Sequence, residues 1–308
     1  MKPCLPERTG SWKMFFSHFF RPSRVIKISV FVTGFSGILM EYIISTIASY
    51  LLGDTLFQWA IVISLFLFAM GSGSRITGLL KTSEVNYFIL VESLITLTIV
   101  LSLPTAYACV AYPVALQVLL YATTFVLGVL IGMEIPLLIR INSRFDELPL
   151  NLSRLLEKDY IGALAGGLFF AFIGLRHFGP LTLGLIVAIL NWFVALLFWL
   201  SFRSEQPLKK GLAALISTAG LMALVSFPIG PAVASWGEDQ KYRDEIIYSE
   251  QTPYQRIVIT KWRQFFWLYL DGHLQFSSYD EYRYHEVLVH PAMVAAVSRA
   301  HVLILGGG

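Results

Sequence analysis

Charge is what this chain has least of. Only 14% of its 308 residues are Asp, Glu, Lys or Arg, against roughly 25% in a soluble globular domain. With 56% hydrophobic residues, 23 Phe and 7 Trp, that deficit argues against an ordinary water-soluble fold. Cysteine is scarce as well. Cys4 and Cys109 stand far apart, so neither a disulfide framework nor a thiolate metal site can be built from them, and no metal is expected. A net charge of +3 is too small a surplus to attract nucleic acid, and none is expected as a partner.

What the chain does have is long apolar runs. A membrane span needs about 20 mostly apolar residues, and seven runs qualify: Val25–Tyr50, Phe57–Leu80, Tyr87–Cys109, Tyr112–Ile139, Tyr160–Leu175, Phe178–Phe202 and Gly211–Gly230. The fifth is short, and with the narrow Arg176-His177 joint before the sixth it reads as a tight hairpin. A cleaved leader is disfavoured for the first run, which is too long, carries Glu41 and lacks a small-residue cleavage site. The Lys and Arg positions alternate by loop. The arm before the first run, residues 1–24, is basic and so is expected in the cytoplasm. Arg75 and Lys81, then Arg140, Arg144, Arg154 and Lys158, then Arg203, Lys209 and Lys210 mark the other inner loops, while Gly53-Asp54 and Pro104–Pro113 carry no base. The expected location is therefore a cell membrane, multi-pass, with the lipid bilayer as a partner. Seven spans beginning inside would put everything after Gly230 outside, unless the fifth or the last run does not cross.

Glu41, Glu92 and Glu134 lie within apolar runs. Ionisable groups at membrane depth face the bundle interior and mark ligand or ion pathways. Glu41 and Glu134 are the candidates for such a role; Glu92, a turn from Tyr87, reads as an interface or packing residue. Gly71-Ser72-Gly73-Ser74 and Gly162 with Gly166-Gly167 place small residues at close-packing spacing. They are expected to make helix contacts, because no strand precedes them to form a nucleotide loop.

Near residue 232 the composition changes, and charges become frequent and mixed up to His290. Glu245–Ser249, Tyr254–Lys261, Gln264–Leu270 and Leu274–Ser277 alternate as strands, with Asp271-Gly272 as the hairpin turn. Asp280 reads as the N-cap of a helix Glu281–Val289, interrupted at His290-Pro291 and resumed over Ala292–Arg299. His301–Leu305 then reads as a buried strand running into Gly306, Gly307 and Gly308, the way nucleotide-binding α/β domains begin.

Four strings in this tail carry a resemblance: Tyr254-Gln255-Arg256-Ile257-Val258, then Leu268-Tyr269-Leu270-Asp271-Gly272-His273-Leu274-Gln275, then Asp280-Glu281-Tyr282-Arg283-Tyr284-His285-Glu286, then His290-Pro291. In order and spacing they resemble the spermidine synthase (polyamine aminopropyltransferase) family, and the preceding runs are similar to the membrane-bound branch of that family. The resemblance implies transfer of an aminopropyl group from decarboxylated S-adenosylmethionine, a co-substrate rather than a cofactor, to putrescine. It also implies Gln255 at the nucleoside-bearing substrate, His285 and Tyr284 at the polyamine, Gly306–Gly308 as a nucleotide loop, and a homo-oligomer. Glu281 and Glu286 read as solvated helix charges. The family's catalytic base would lie beyond Gly308, so the 308 residues are expected to be inactive by themselves. A polyamine or small-cation transporter with a vestigial tail is the rival reading.

The expected fold is thus an α-helical polytopic membrane bundle over residues 25–231, followed by a small antiparallel β segment over 232–291. Residues 292–308 would supply the first strand of a truncated Rossmann-like, methyltransferase-type α/β domain.

Overall fold

The computed structural model describes residues 22–80, 83–145, 148–202, 210–242, 244–252 and 255–303. The expected basic arm lies outside them except for its last three residues, which open the first helix. Gly306–Gly308, Tyr254, Arg203 and Lys209 also lie outside. The chain divides after Lys241 into two units.

The first unit is helical. Its helices are α1 (Pro22–Leu52), α2 (Thr55–Leu79), α3 (Glu84–Ala108), α4 (Pro113–Asn142), α5 (Leu148–Phe169), α6 (Pro180–Phe202) and α7 (Lys210–Lys241). All seven are long and apolar enough to cross a membrane. α5 runs on through a π-helical turn, Phe170–Gly174, and a final α turn, Leu175–His177. The fifth helix is therefore not short: its helical backbone begins twelve residues earlier than the apolar run, under the charged stretch Arg154–Asp159. α7 likewise continues through Pro228 and Pro231 to Lys241, so the composition shift near 232 falls inside a helix and the boundary moves to Lys241.

α1, α3 and α6 are the inner helices, and α2, α5 and α7 the outer ones. α1 packs on α2, α4, α5 and α6; α3 packs on α4, α6 and α7. Between α3 and α6, Phe88 meets Phe198 at 4.2 Å and Thr96 Oγ1 donates to Ala188 O at 3.2 Å, an antiparallel register. Two further pairs are parallel and depend on glycine. On α2 and α4, a Cβ added at Gly132 would lie 2.1 Å from Met70 O, and one at Gly73 would lie 1.9 Å from Val129 O. On α1 and α5, a Cβ at Gly162 would lie 2.2 Å from Phe31 O and one at Gly166 would lie 2.6 Å from Phe35 O. Apolar side chains gain little by leaving lipid for one another, so helices there associate through close backbone approach, which small residues allow. At Gly71, by contrast, an added Cβ would meet nothing within 4 Å.

The second unit is a meander of β1 (Glu245–Gln251), β2 (Arg256–Trp262), β3 (Phe265–Leu270) and β4 (His273–Ser277), antiparallel in that order, followed by α8 (Glu281–Ala295). Asp271 and Gly272 both have positive φ, 50° and 82°, as a two-residue hairpin turn requires. α8 passes through Pro291 without stopping, and Asp280 precedes it without a side-chain capping bond. Residues 301–303 form no strand. The expected opening strand of a Rossmann-like domain is therefore not found among the described residues: the tail is an antiparallel sheet and a helix. A short apolar run becomes a strand only when a neighbour pairs its backbone, and His301–Leu303 has none.

The glycine pairs give a direct test. Gly132→Val should lower the thermal midpoint of the detergent-solubilised protein by the equivalent of about 1–3 kcal/mol, the range for overpacking a tight contact. Gly71→Ala should leave it unchanged. Equal effects would mean that the α2–α4 approach does not set stability.

Candidate functional site

The turn between β1 and β2 positions Gln255. The Gln255 amide donates to Thr252 Oγ1 at 3.0 Å, and the Thr252 amide donates to Gln255 O at 3.0 Å. One residue on, the Arg256 amide donates to Asp271 Oδ1 at 2.8 Å and Asp271 returns its own amide to Arg256 O at 2.9 Å. The β3–β4 turn is thereby tied beside Gln255, which is half-buried. Beneath this end of the sheet, Val258 and Thr260 are the buried residues of β2. The Tyr269 ring packs against that of Tyr242, tilted, with centroids 4.9 Å apart. Burial, with the Asp244 carboxylate adding to it, pushes the Tyr269 phenol up. This tyrosine stays neutral at physiological pH and acts as packing.

Tyr284 and His285 lie on α8. The His285 ring sits 5.8 Å from Phe276 of β4 and 5.4 Å from Tyr284, edge to face, with Nδ1 3.2 Å from Glu281 O. A proton on Nδ1 directed at that carbonyl leaves Nε2 as an acceptor. Both rings are exposed, Tyr284 by 63%. With Glu281 and Glu286 on the same helix, the group offers aromatic faces, an imidazole and carboxylates, the side-chain types that hold an ammonium group. The structure brings Tyr284 and His285 together. Gln255 is fixed separately, at the two turns.

In the bundle, Glu134 is 1% exposed and Glu41 9%. The third acidic residue, Glu92, is a fully buried packing position. It is 0% exposed, because α3 begins at Glu84 and its first turns, with Val85, Phe88 and Ile89, are fully covered. A fourth carboxylate went unnoticed in the sequence. Asp159 of α5 sits against Gly34 of α1, where an added Cβ would lie 2.7 Å from its Oδ1. Its signal was present: the residue adjoins the fifth apolar run, but the neighbouring Glu157 and Lys158 made it look like loop. Among the described residues, no group of three His, Cys, Asp or Glu could hold a metal ion.

The chain is similar to proteins of assigned function. It is 40% identical over 289 residues to Polyamine aminopropyltransferase 2 of Aquifex aeolicus, covering 93% of this chain and 57% of that protein. It is 37% identical over 285 residues to Polyamine aminopropyltransferase of Leptospira interrogans, covering 91% and 56%. The match to Polyamine aminopropyltransferase of Mycobacterium tuberculosis is 32% over 284 residues, covering 88% and 54%. The chain thus spans a little over half the length of the curated relatives it matches. Because the similarity runs over about nine-tenths of this chain, helices included, the bundle and sheet are themselves what is shared. No family model and no solved structure matches.

Asp271→Ala should cost the tail about 1 kcal/mol by removing the acceptor for the Arg256 amide, and raise hydrogen exchange there several-fold. Asp271→Asn, which keeps an acceptor oxygen, should restore most of the protection. Unchanged exchange in Asp271→Ala would separate the two turns.

Proposed function

We propose that this chain is the membrane-embedded and amine-binding part of a polyamine aminopropyltransferase. The observation that supports it best is the 40% identity over 93% of the chain to a protein of that name, joined to a tail that holds Gln255, Tyr284 and His285 on a hairpin sheet and its following helix. In the whole protein, a primary amine of putrescine loses a proton and attacks the carbon beside the sulfonium of decarboxylated S-adenosylmethionine. The new N–C bond forms as the C–S bond breaks, and methylthioadenosine leaves with the electron pair. Gln255 contacts the nucleoside-bearing substrate. Tyr284 and His285 hold the amine, their aromatic faces suited to an ammonium group. No cofactor is required, and the protein works as a homo-oligomer.

The seven apolar helices support a multi-pass cell-membrane location, and the alternation of Lys and Arg between the runs supports a cytoplasmic N-terminus. Reporters inserted at Gly53-Asp54 and at Ala111 should then read as external, and those at residues 81–82 and 146–147 as cytoplasmic. A cytoplasmic reading at Ala111 would sink this topology.

A second reading, passage of polyamines or other small cations through the bundle, draws on the buried Glu41 and Glu134. Normal polyamine uptake in Glu41→Gln and Glu134→Gln variants would remove it.

The catalytic reading is tested in the full-length protein by methylthioadenosine release. His285→Ala and Gln255→Ala should each lower kcat/KM by roughly tenfold to a hundredfold, the equivalent of losing one hydrogen bond to a charged group. The putrescine KM should rise in the His285 variant. Wild-type rates in both variants would exclude these residues from the site.

A further inference from the structure

One end of the tail's sheet gathers aromatic rings and positive charge. β2 turns into β3 through Lys261-Trp262-Arg263-Gln264-Phe265-Phe266, with Arg263 at a φ of 57°. Trp262 is 47% exposed and Phe266 39%. Each ring carries a cation: the Arg263 guanidinium stands 4.4 Å from the Trp262 centroid, and Lys261 Nζ stands 5.5 Å from that of Phe266. No Asp or Glu occurs between Arg256 and Leu270. Lys261 pairs with Phe266 across the ladder, so these two share a face and Trp262, the next residue along, takes the other. The exposed rings thus point to both sides of the tip. A rigid partner would cover one face; a fluid layer around the tip serves both.

Strand register puts this tip beside the chain's tether. Glu245, the first residue of β1, pairs with Lys261, so their Cα atoms are about 5 Å apart. Lys241, the last residue of α7, lies four peptide steps before Glu245, a reach of roughly 14 Å at most. α7 is long and apolar enough to cross a membrane, and Trp236 near its end is 51% exposed, as rings at a membrane–water boundary are. Within the tether Lys241 and Arg243 balance Asp244 and Glu245, which leaves the charges of Lys261 and Arg263 in surplus. The turns that hold Gln255 and Asp271 are at the opposite end of the sheet. Exposed rings suit the headgroup level of a bilayer, and Lys and Arg stems carry their charge from there to lipid phosphates. We propose that the β2–β3 tip, through Lys261, Trp262, Arg263 and Phe266, inserts into the headgroup layer of a bilayer containing anionic phospholipid, a membrane contact separate from the helices. This rests on the multi-pass reading given above.

The experiment uses the full-length protein, its native cysteines replaced by serine, in nanodiscs of phosphatidylglycerol and phosphatidylcholine. A lipid with a nitroxide headgroup should quench a fluorophore on Gln264→Cys several-fold more than one on His273→Cys, exposed at the other end of the sheet. Lys261→Glu combined with Arg263→Glu should reduce the quenching at position 264 several-fold, as should nanodiscs of phosphatidylcholine alone. Trp262→Ser combined with Phe266→Ser, at positions already exposed, should reduce it as well. Equal quenching at 264 and 273, or quenching that survives the charge reversal, overturns the proposal. So does a fluorophore at 264 that is shielded from aqueous iodide but dark to the lipid nitroxide, the result expected of a protein partner or a second copy. A fluorophore on Leu67→Cys, 58% exposed midway along α2, should be quenched by a nitroxide on the acyl chain. If it is not, the multi-pass reading falls and takes the tip with it. If it is, while position 264 stays bright, the tip proposal alone falls.

Discussion

Close backbone approach at glycine is the constraint on which the bundle depends. In α1–α5 and α2–α4 the helices touch where a methyl group would already collide with a carbonyl oxygen. Such contacts leave little freedom in rotation or register, since turning either helix brings a side chain into the gap. They consequently fix the face that each helix turns inward. Gly34 and Gly162 decide where Asp159 sits, and Gly132 lies two residues before Glu134. The polar interior is a product of the glycine contacts as much as of the carboxylates.

That interior differs from the aromatic packing beside it. Phe88 of α3 packs tilted against Phe198 of α6, which stacks on Phe202 of the same helix, and this apolar seam needs nothing further. Glu92 stands one turn beyond Phe88 on the same helix, and its two oxygens have no donor among the described residues. The same seam thus passes from complete apolar packing to unmet polar demand within one helical turn. In the tail the polar groups are instead served by backbone, as the reciprocal bonds of Arg256 with Asp271 show.

The apolar runs and the alternation of the tail strands were legible because each rests on local periodicity. Asp271-Gly272 was legible for the same reason, since only a few residue types tolerate two successive positive φ angles. Features fixed by distant partners were not. The start of α5 was hidden by Arg154–Asp159, whose charges look like loop until Gly34 is seen against Asp159. The seventh apolar run was expected to end at Gly230, where the composition shifts, but α7 continues through Pro228 and Pro231 to Lys241. The strand expected at His301–Leu305 failed in its described part for want of a neighbour, which no apolar run can announce. Gln255 and His285 are expectations carried by their surrounding strings. Asp159 came only from the packing.

The two glycine pairs also bear on how the chain is made. Their partners are parallel helices far apart in sequence: Phe31 meets Gly162, and Met70 meets Gly132. With synthesis at 5–20 residues per second, α1 waits on the order of ten seconds for α5 to emerge. During that interval its face at Phe31–Phe35 is open to any other helix that presents small residues. The first helix is therefore the part of the nascent protein most open to mispairing, and the arrival of α5 is the event that closes it.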